Sequence, residues 1–137
     1  MNSPEVLELI RHAQQRHRAF TETVDAIEAG GFLFSAKDNL CALGFQARAG
    51  SAVLDGYRPP FDATAVHRLK AAGGQLVGKT TMDEFGFGTF STNSAHGVPL
   101  NPFDVERSCG GSSGNSSPAA ARSTAIDRCI PVSGVER

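Results

Sequence analysis

Three polar residues at two distant places in the chain have the chemistry needed to activate a hydroxyl group. Lys37 follows the apolar residues 32–34, where burial can lower its pKa enough for the amine to act as a general base. Ser112 and Ser113 lie in a glycine-rich run whose backbone is free to adopt unusual geometry. A serine hydroxyl needs such a base before it becomes a nucleophile or carries a proton. Considered one at a time, Lys37 could equally be a solvent-exposed surface lysine, and the glycine-rich run could be a flexible linker.

A second pattern, residues 73–80, formally matches the phosphate-binding motif G-x-x-x-x-G-K-[ST]. In a phosphate loop a strand precedes the glycines and a helix follows them, so that backbone N–H groups surround the phosphates. Here a predicted helix precedes the pattern, and residues 75–77 predict a strand inside the supposed loop. A helix end followed by a strand is the favoured interpretation, and a nucleotide-binding module through Lys79 is kept as an alternative.

Composition narrows the function classes. With 13 Lys and Arg against 14 Asp and Glu, the net charge of −1 favours neither nucleic acid nor an anionic membrane as a partner. The apolar runs are too short for a transmembrane helix, and the N-terminus does not resemble a signal peptide. Three cysteines at unrelated spacings and four scattered histidines predict neither a disulfide framework nor a metal site. We therefore expect a cytoplasmic protein with reduced thiols, no metal and no cofactor of its own.

The secondary structure that must position these residues begins with a predicted helix. Ser3 and Pro4 form a helix start, and Gly30 and Gly31 end the pattern. Between them, an apolar stripe at helical spacing consists of Val6, Ile10, Ala13, His17, Phe20, Val24 and Ile27. Residues 1–31 are therefore predicted to be an amphipathic helix, which either packs on the rest of the domain or docks a partner subunit.

Two short strands and a second helix follow, and this order predicts an α/β fold. Residues 32–36 and 75–77 are apolar runs of strand length. Asp62 predicts the cap of the second helix, which closes at Gly73 and Gly74 and carries on one face Val66, Leu69 and Ala72.

The remaining residues carry turn and loop signals. Thr81 and Glu84 form a capping-box pattern, with Asp83 as part of the capping pair. Residues 86–114 are rich in Gly, Ser, Asn and Pro and are predicted to be either flexible or held in place as functional loops. Ser116 begins a predicted helix that runs through Cys129 and Ile130 and stops at Pro131.

In order and spacing, six segments of the chain resemble the amidase signature family. They are residues 36–39 (Ala-Lys-Asp-Asn), 49–54, 62–73, 77–86 (with Met-Asp-Glu-Phe-Gly), 101–104 (Asn-Pro-Phe-Asp) and 109–114 (Cys-Gly-Gly-Ser-Ser-Gly). The resemblance implies that residues 32–114 are the N-terminal part of an amidase signature domain. Its fold would be α/β, a fragment of an α/β/α sandwich with a mixed central sheet.

The resemblance also implies a Ser–cis-Ser–Lys mechanism. Lys37 would be the general base, and Ser112, on a cis peptide bond, would relay a proton. A second serine would attack the amide carbonyl and form an acyl-enzyme. The same motifs imply supporting positions at Asp38, Ser113, Gly110, Gly111 and Gly114.

The family's nucleophilic serine has no match in this sequence. It is expected about two dozen residues beyond Ser112, in an Asp-Thr-Gly-Gly-Ser-like run whose N–H groups form the oxyanion hole. Ser133 has a similar spacing, but a glycine pair does not precede it. We expect residues 115–137 to be a divergent tail translated out of frame, with a fragment carrying a chance tail as the rival. Both hypotheses predict that this chain alone does not hydrolyse amides.

Within the family, the Met-Asp-Glu-Phe-Gly and Asn-Pro-Phe-Asp runs look most like the glutaminase subunits of tRNA-dependent amidotransferases. This likeness implies hydrolysis of glutamine to supply ammonia for Gln-tRNA(Gln) or Asn-tRNA(Asn) formation. In that heterotrimer, a B subunit would bind the tRNA and use ATP and Mg²⁺, and a C subunit would contact both. The alternatives are a general small-amide amidase, the nucleotide-binding module, and a non-catalytic remnant that docks a partner through its first helix.

Overall fold

A computed structural model of the chain describes residues 3–114 and the backbone of residues 129–132. Its elements are α1 (Ser3–His17), β1 (Phe20–Thr23), β2 (Phe32–Lys37), α2 (Thr64–Ala71), β3 (Gly74–Thr80) and β4 (Cys129–Val132). The four strands form one sheet in the order β1-β3-β2-β4. Because β2 is parallel to β3 and β4 while β1 is antiparallel to β3, the expected α/β fold with a mixed sheet is confirmed.

Each face of the sheet carries its own apolar cluster. The buried side chains of the cluster that contains α1 are Val6, Ile10, Ala13, Ala19, Phe20 and Val77. Those of the cluster that contains α2 are Phe34, Ala36, Leu40, Ala42, Ala63, Val66 and Leu76. Leu76 and Val77 are neighbours in β3 and belong to different clusters, since successive strand residues point to opposite faces. The two helices therefore cover opposite faces of the sheet.

The first helix is shorter than its apolar stripe predicts. It ends at His17, Arg18 has a φ of 53°, and Phe20–Thr23 is a strand. The β-branched side chains of Thr21 and Thr23 favour extended backbone, and pairing with β3 adds ladder hydrogen bonds. The prediction of a helix up to Gly30 is therefore wrong beyond His17, although the stripe packs on the chain's own core as its simpler interpretation expects.

The second helix forms where it is predicted, but its cap differs. The N-cap residue is Ala63, whose side chain makes no capping hydrogen bond. The carboxylate of Asp62 instead accepts the N–H of Leu43 at 2.8 Å and pairs with the Lys70 ammonium at 2.7 Å. The capping role predicted for Asp62 is wrong, because a charged partner inside the helix and a loop amide occupy its oxygens.

The capping box predicted at Thr81 and Glu84 does not form. Glu84–Gly86 is a single 3₁₀ turn that includes Phe85 at a φ of 50°. The hydroxyl of Thr81 donates to the carbonyl of Arg18 at 3.4 Å, a contact with the end of α1. A turn this short offers no helical amides for a capping box, so its residues serve tertiary contacts instead.

Part of the tail adds a strand to the sheet. Residues 129–132 form β4, parallel to β2, with Leu33 opposite Cys129 and Ala36 opposite Val132. Pro131 has no N–H to donate, which an edge strand tolerates. The predicted helix is therefore wrong at Cys129 and Ile130, and its residues 116–128 lie outside the described residues, as does Ser133. In the described part, no helix is both long and apolar enough to cross a membrane.

Candidate active site

The end of β2 brings the predicted base to the predicted serines. Lys37 is the last residue of β2 and is buried, with 7% of its surface exposed. Its Nζ lies 2.9 Å from Oγ of Ser112 and 2.7 Å from Oγ of Ser113. The lysine and the serines are 75 and 76 positions apart in the chain. The fold thus unites the three residues on which the hydroxyl chemistry depends.

The surroundings of Lys37 make its ammonium easier to deprotonate than that of a lysine in water. Burial lowers the pKa of its ammonium from the ordinary value of 10.5, because the charged form loses hydration. The carboxylate of Asp83 raises the pKa and opposes this effect without cancelling it. A serine hydroxyl can donate a hydrogen bond or accept one. Ser112 and Ser113 are therefore suitable partners for Lys37 both as an ammonium and as an amine.

The glycine-rich loop holds Ser112 in the geometry that the family resemblance implies. The peptide bond between Gly111 and Ser112 is cis. Gly110 has a φ of 76°, where a residue with a side chain would be strained, and its carbonyl accepts a hydrogen bond from the Ser91 hydroxyl at 2.6 Å. At Gly114, a Cβ atom would collide with the side chain of Ser91. The loop therefore packs closely on the segment around Ser91.

Asp83 belongs to the site, although the sequence pattern predicts only a capping role for it. It is fully buried, and its carboxylate accepts the N–H groups of Ser91 at 3.1 Å and Asn93 at 3.0 Å. Its own N–H donates to the carbonyl of Ser112 at 3.3 Å, and a Cβ atom at Gly111 would collide with its carboxylate. Asp83 does occupy the N-cap position of the 3₁₀ turn Glu84–Gly86, but its side chain makes no capping hydrogen bond there. The available signal was an acidic residue close behind a buried strand, at the sheet edge where the base also lies.

Asp38 lies behind Lys37, in the turn that begins directly after it. It is fully buried, and its carboxylate accepts the hydroxyl of Thr21 at 3.2 Å. The same carboxylate pairs with Nζ of Lys79 at 3.7 Å and with Nε of Arg48 at 3.8 Å. The structure therefore places Asp38 beneath the site, among cations, and apart from the serine loop.

Lys79 occupies a position that a phosphate-binding lysine cannot use. It is fully buried, and its Nζ donates to the carbonyls of Leu40 at 2.7 Å, Gln46 at 3.1 Å and Asp38 at 3.4 Å. The Walker-like residues form the strand Gly74–Thr80 rather than a loop. The nucleotide-binding alternative is therefore wrong, and the interpretation as a helix end followed by a strand is confirmed.

In the described residues, neither the cysteines nor the acidic side chains form a second reactive centre. Cys41 and Cys109 are free thiols, and burial raises the pKa of Cys109, which keeps it in the less reactive protonated form. Within residues 3–114, no group of three or more His, Cys, Asp or Glu side chains is placed to hold a metal ion. The convergent polar groups of the site are thus a lysine, hydroxyls and the carboxylate of Asp83.

Comparison with known proteins identifies the family of the chain. The Amidase family profile matches residues 6–126, a range that begins in α1 and extends past Gly114. The chloroplastic/mitochondrial A subunit of glutamyl-tRNA(Gln) amidotransferase from Arabidopsis thaliana is 44% identical over 113 residues, covering 82% of this chain and 21% of that protein. The A subunit of the same enzyme from Methanospirillum hungatei is 44% identical over 115 residues, covering 80% of this chain and 27% of that protein.

Solved structures agree with the sequence comparison. The A subunit of glutamyl-tRNA(Gln) amidotransferase from Thermotoga maritima superimposes with a TM-score of 0.78 at 36% identity, covering 85% of this chain and 27% of that one. The peptide amidase of Stenotrophomonas maltophilia superimposes with a TM-score of 0.74 at 30% identity, covering 85% and 29%. The chain belongs to the amidase family. It spans between 21% and 27% of the length of the two curated relatives described above.

Proposed function

We propose that the chain forms the base-and-relay part of the active site of a glutamine amidohydrolase, the ammonia-supplying component of a tRNA-dependent amidotransferase. The observation that carries the proposal is the contact of Lys37 Nζ with both Ser112 Oγ and Ser113 Oγ, at 2.9 and 2.7 Å. The lowered pKa of Lys37 supports its role as the base. The choice of glutamine as substrate is supported by relatives named as A subunits of glutamyl-tRNA(Gln) amidotransferase.

In the proposed reaction, neutral Lys37 takes the proton of Ser112 while Ser112 takes the proton of a second, attacking serine. The oxygen of that serine adds to the side-chain amide carbon of glutamine. Ammonia then leaves with a proton that returns from Lys37 through Ser112, and water hydrolyses the resulting ester to glutamate. The second hydrogen bond of Lys37, which its Nζ donates to Ser113 Oγ, would hold the amine in place throughout. We assign the attacking serine and the oxyanion hole to no residue of the described ranges.

The ammonia would be used by a separate polypeptide, as the family resemblance implies. In this proposal a B subunit binds the mischarged tRNA and uses ATP and Mg²⁺, and a C subunit contacts both. We place the assembly in the cytoplasm and assign none of its nucleotide, metal or tRNA contacts to this chain. Copurification of B and C subunits with the chain is the expected outcome of a pull-down from its native source.

A general amidase of the same family is the second candidate, because the fold also matches the peptide amidase of Stenotrophomonas maltophilia at 30% identity. The same base and relay would serve a peptide amide equally well. The two functions differ in their substrate. Assays of the assembly purified from the native source, with glutamine and with a C-terminal peptide amide, therefore separate them.

A chimera tests the proposal. Residues 6–114 replace the aligned segment of the Thermotoga maritima protein, with which the fold superimposes at a TM-score of 0.78. The chimera is expected to release ammonia from glutamine, and Lys37→Met and Ser112→Ala are each expected to lower kcat about a thousandfold. Lys70 is a lysine of α2 that pairs with Asp62. Lys70→Met is therefore the matched control and should keep full activity.

Two results would contradict the proposal. The first is an active chimera in which Lys37→Met leaves kcat unchanged, because the base would then be another group. The second is a folded chimera that releases no ammonia from glutamine, because residues 6–114 would then not supply a working base and relay. The 137-residue chain alone is expected to release no ammonia from glutamine.

A further inference from the structure

Two lysines lie at the same end of neighbouring parallel strands and point to opposite faces of the sheet: Lys37 is the last residue of β2, and Lys79 is the last but one of β3. The register pairs Ala36 with Lys79 and Lys37 with Thr80. Because residues paired across parallel strands point to the same face, Lys79 shares the face of Ala36 and Lys37 lies on the other. The proposed reaction uses only Lys37, so the burial of a second lysine beneath it calls for its own explanation.

The groups around the Lys79 amine are hydrogen-bond acceptors. Its Nζ contacts the carbonyl oxygens of Asp38, Leu40 and Gln46 at 3.4, 2.7 and 3.1 Å, and the Asp38 carboxylate at 3.7 Å. An ammonium has three N–H donors and no lone pair, whereas a neutral amine would turn its lone pair toward one of these acceptors. The three carbonyl oxygens and the Asp38 carboxylate therefore form a cage that fits the protonated amine. This cage resembles an oxygen-lined site for a monovalent cation.

Some of the groups around Lys79 raise the pKa of its ammonium and others lower it. Burial lowers the pKa of its ammonium from 10.5, and Arg48 lowers it further. Asp38 is the largest opposing influence, and Cys41 and Glu22 also raise the pKa. Glu22 lies opposite Lys79 in β1. A lysine in this setting keeps its charge only through the acceptors that surround it.

The cage is built from the turn that carries the base. Asp38 follows Lys37 directly, and its N–H donates to the carbonyl of Thr80 at 3.1 Å. Leu40 closes the turn with an N–H bond of 2.9 Å to the carbonyl of Lys37. Lys79 thus binds the turn at its first residue, at Leu40 and again at Gln46.

We propose that Lys79 is a positioning residue, a built-in cation that holds residues 38–46 in shape and keeps Lys37 opposite Ser112 and Ser113. The proposal rests on the proposed function in so far as Lys37 is the base. The hold of Lys79 on the turn itself is independent of that function. Loss of the charge at position 79 would release the turn and let Lys37 move toward solvent.

The test compares Lys79→Met with Lys70→Met in the full chain, because methionine keeps most of the side-chain volume and removes the charge. The first readout is backbone amide hydrogen exchange in residues 38–46, which should become about tenfold faster in Lys79→Met than in the native chain. The second is acetylation of Lys37 at a series of pH values, followed by mass spectrometry. Its profile should move toward 10.5, the ordinary pKa of lysine. Lys70→Met should change neither readout.

Unchanged exchange and an unchanged Lys37 profile in folded Lys79→Met would overturn the proposal. If Lys79→Met does not fold, ¹⁵N-lysine NMR of the native chain decides. A slowly exchanging NH₃⁺ signal from Lys79 at neutral pH is expected, and a neutral amine would overturn the proposal. A failure of the proposed function looks different, since Lys37→Met would then leave the chimera active while Lys79 still holds the turn.

Discussion

Lys37 and Lys79 lie in adjacent strands at the same end of the sheet, and burial lowers the pKa of both. Their partners differ. Lys37 Nζ contacts two hydroxyls, which can donate or accept, whereas Lys79 Nζ contacts carbonyls, which only accept. Burial therefore does not by itself make a lysine a base. The hydrogen-bonding character of the neighbours decides whether the buried amine can exchange a proton or must keep it.

The acidic residues near the two lysines show the same contrast. The carboxylate of Asp83 is occupied by the N–H groups of Ser91 and Asn93, and it acts on Lys37 only through its charge. The carboxylate of Asp38 pairs with Lys79 directly. The Asp83 carboxylate raises the pKa of Lys37 but does not cancel the effect of burial, so Lys37 loses its proton more readily than an ordinary lysine.

The largest expected difference between the two lysines is in stability. Lys79→Met removes the donor of the Leu40 and Gln46 carbonyls and one cation from the buried Asp38 carboxylate, and it should lower the free energy of unfolding by about 3 kcal/mol. Lys37→Met removes an amine whose side-chain hydrogen bonds go to two hydroxyls, and its cost should stay within about 1 kcal/mol. Urea denaturation of the two variants measures both values. Equal losses would remove the distinction between the two sites.

Asp83→Asn should have an intermediate effect. Loss of the charge weakens the hydrogen bonds from the Ser91 and Asn93 amides, which should cost about 1–2 kcal/mol. It should also lower the pKa of Lys37 further, because the carboxylate raises that pKa in the native chain. Denaturation and the pH profile of Lys37 acetylation check the two effects. Glu84→Gln, a neighbouring acid that is only partly buried, is the control, and a Lys37 profile that moves upward in Asp83→Asn would contradict the account.

The pH dependence of stability should separate Lys37 from Lys79. The folded pKa of Lys37 is below 10.5, its unfolded value, so between these two values the unfolded chain binds more protons than the folded one. Stability attributable to Lys37 therefore rises with pH across that window. Lys79 contributes with the same sign but is present in both proteins, so the native chain minus Lys37→Met isolates Lys37. A flat or falling difference between neutral pH and 10.5 would exclude the lowered pKa.

The smallest effect is expected at the third lysine. Lys70 pairs with Asp62 at 2.7 Å, but about a third of its side chain is exposed (32%), so solvent screens the pair. Lys70→Met should change the free energy of unfolding by about 0–1 kcal/mol. A larger loss by urea denaturation would show that charge pairs at this surface matter as much as the buried cage around Lys79.

The sequence correctly predicted those elements whose hydrophobic pattern is compatible with only one type of secondary structure. The runs that became β2 and β3 are short, largely apolar and preceded by a glycine pair, so strand was the natural prediction. Phe20–Thr23 fits a helical stripe and a strand equally well, and only its pairing with β3 decides in favour of β1. The contact between Lys37 and Ser112 came from the family resemblance, since no local pattern links residues 75 positions apart.

The environment of Lys79 could not be predicted from spacing. The register of β2 and β3 shifts between Phe34 and Ser35, and this irregularity decides which face Lys79 shares with Ala36. A register shift leaves no periodic signal in the sequence. Asp83 was missed for a related reason, because its partners Ser91 and Asn93 come from a loop whose path depends on the carboxylate itself.

A titration of Lys37 in the full chain tests its assignment as the base most directly. Lysine occurs only at positions 37, 70 and 79, so ¹⁵N-lysine NMR can assign and follow each amine separately. Lys37 is expected to lose its proton below 10.5, and Ser112→Ala is expected to change the midpoint, because one of its two hydroxyl partners is lost. A midpoint at or above 10.5, unaffected by Ser112→Ala, would contradict the assignment of Lys37 as a base.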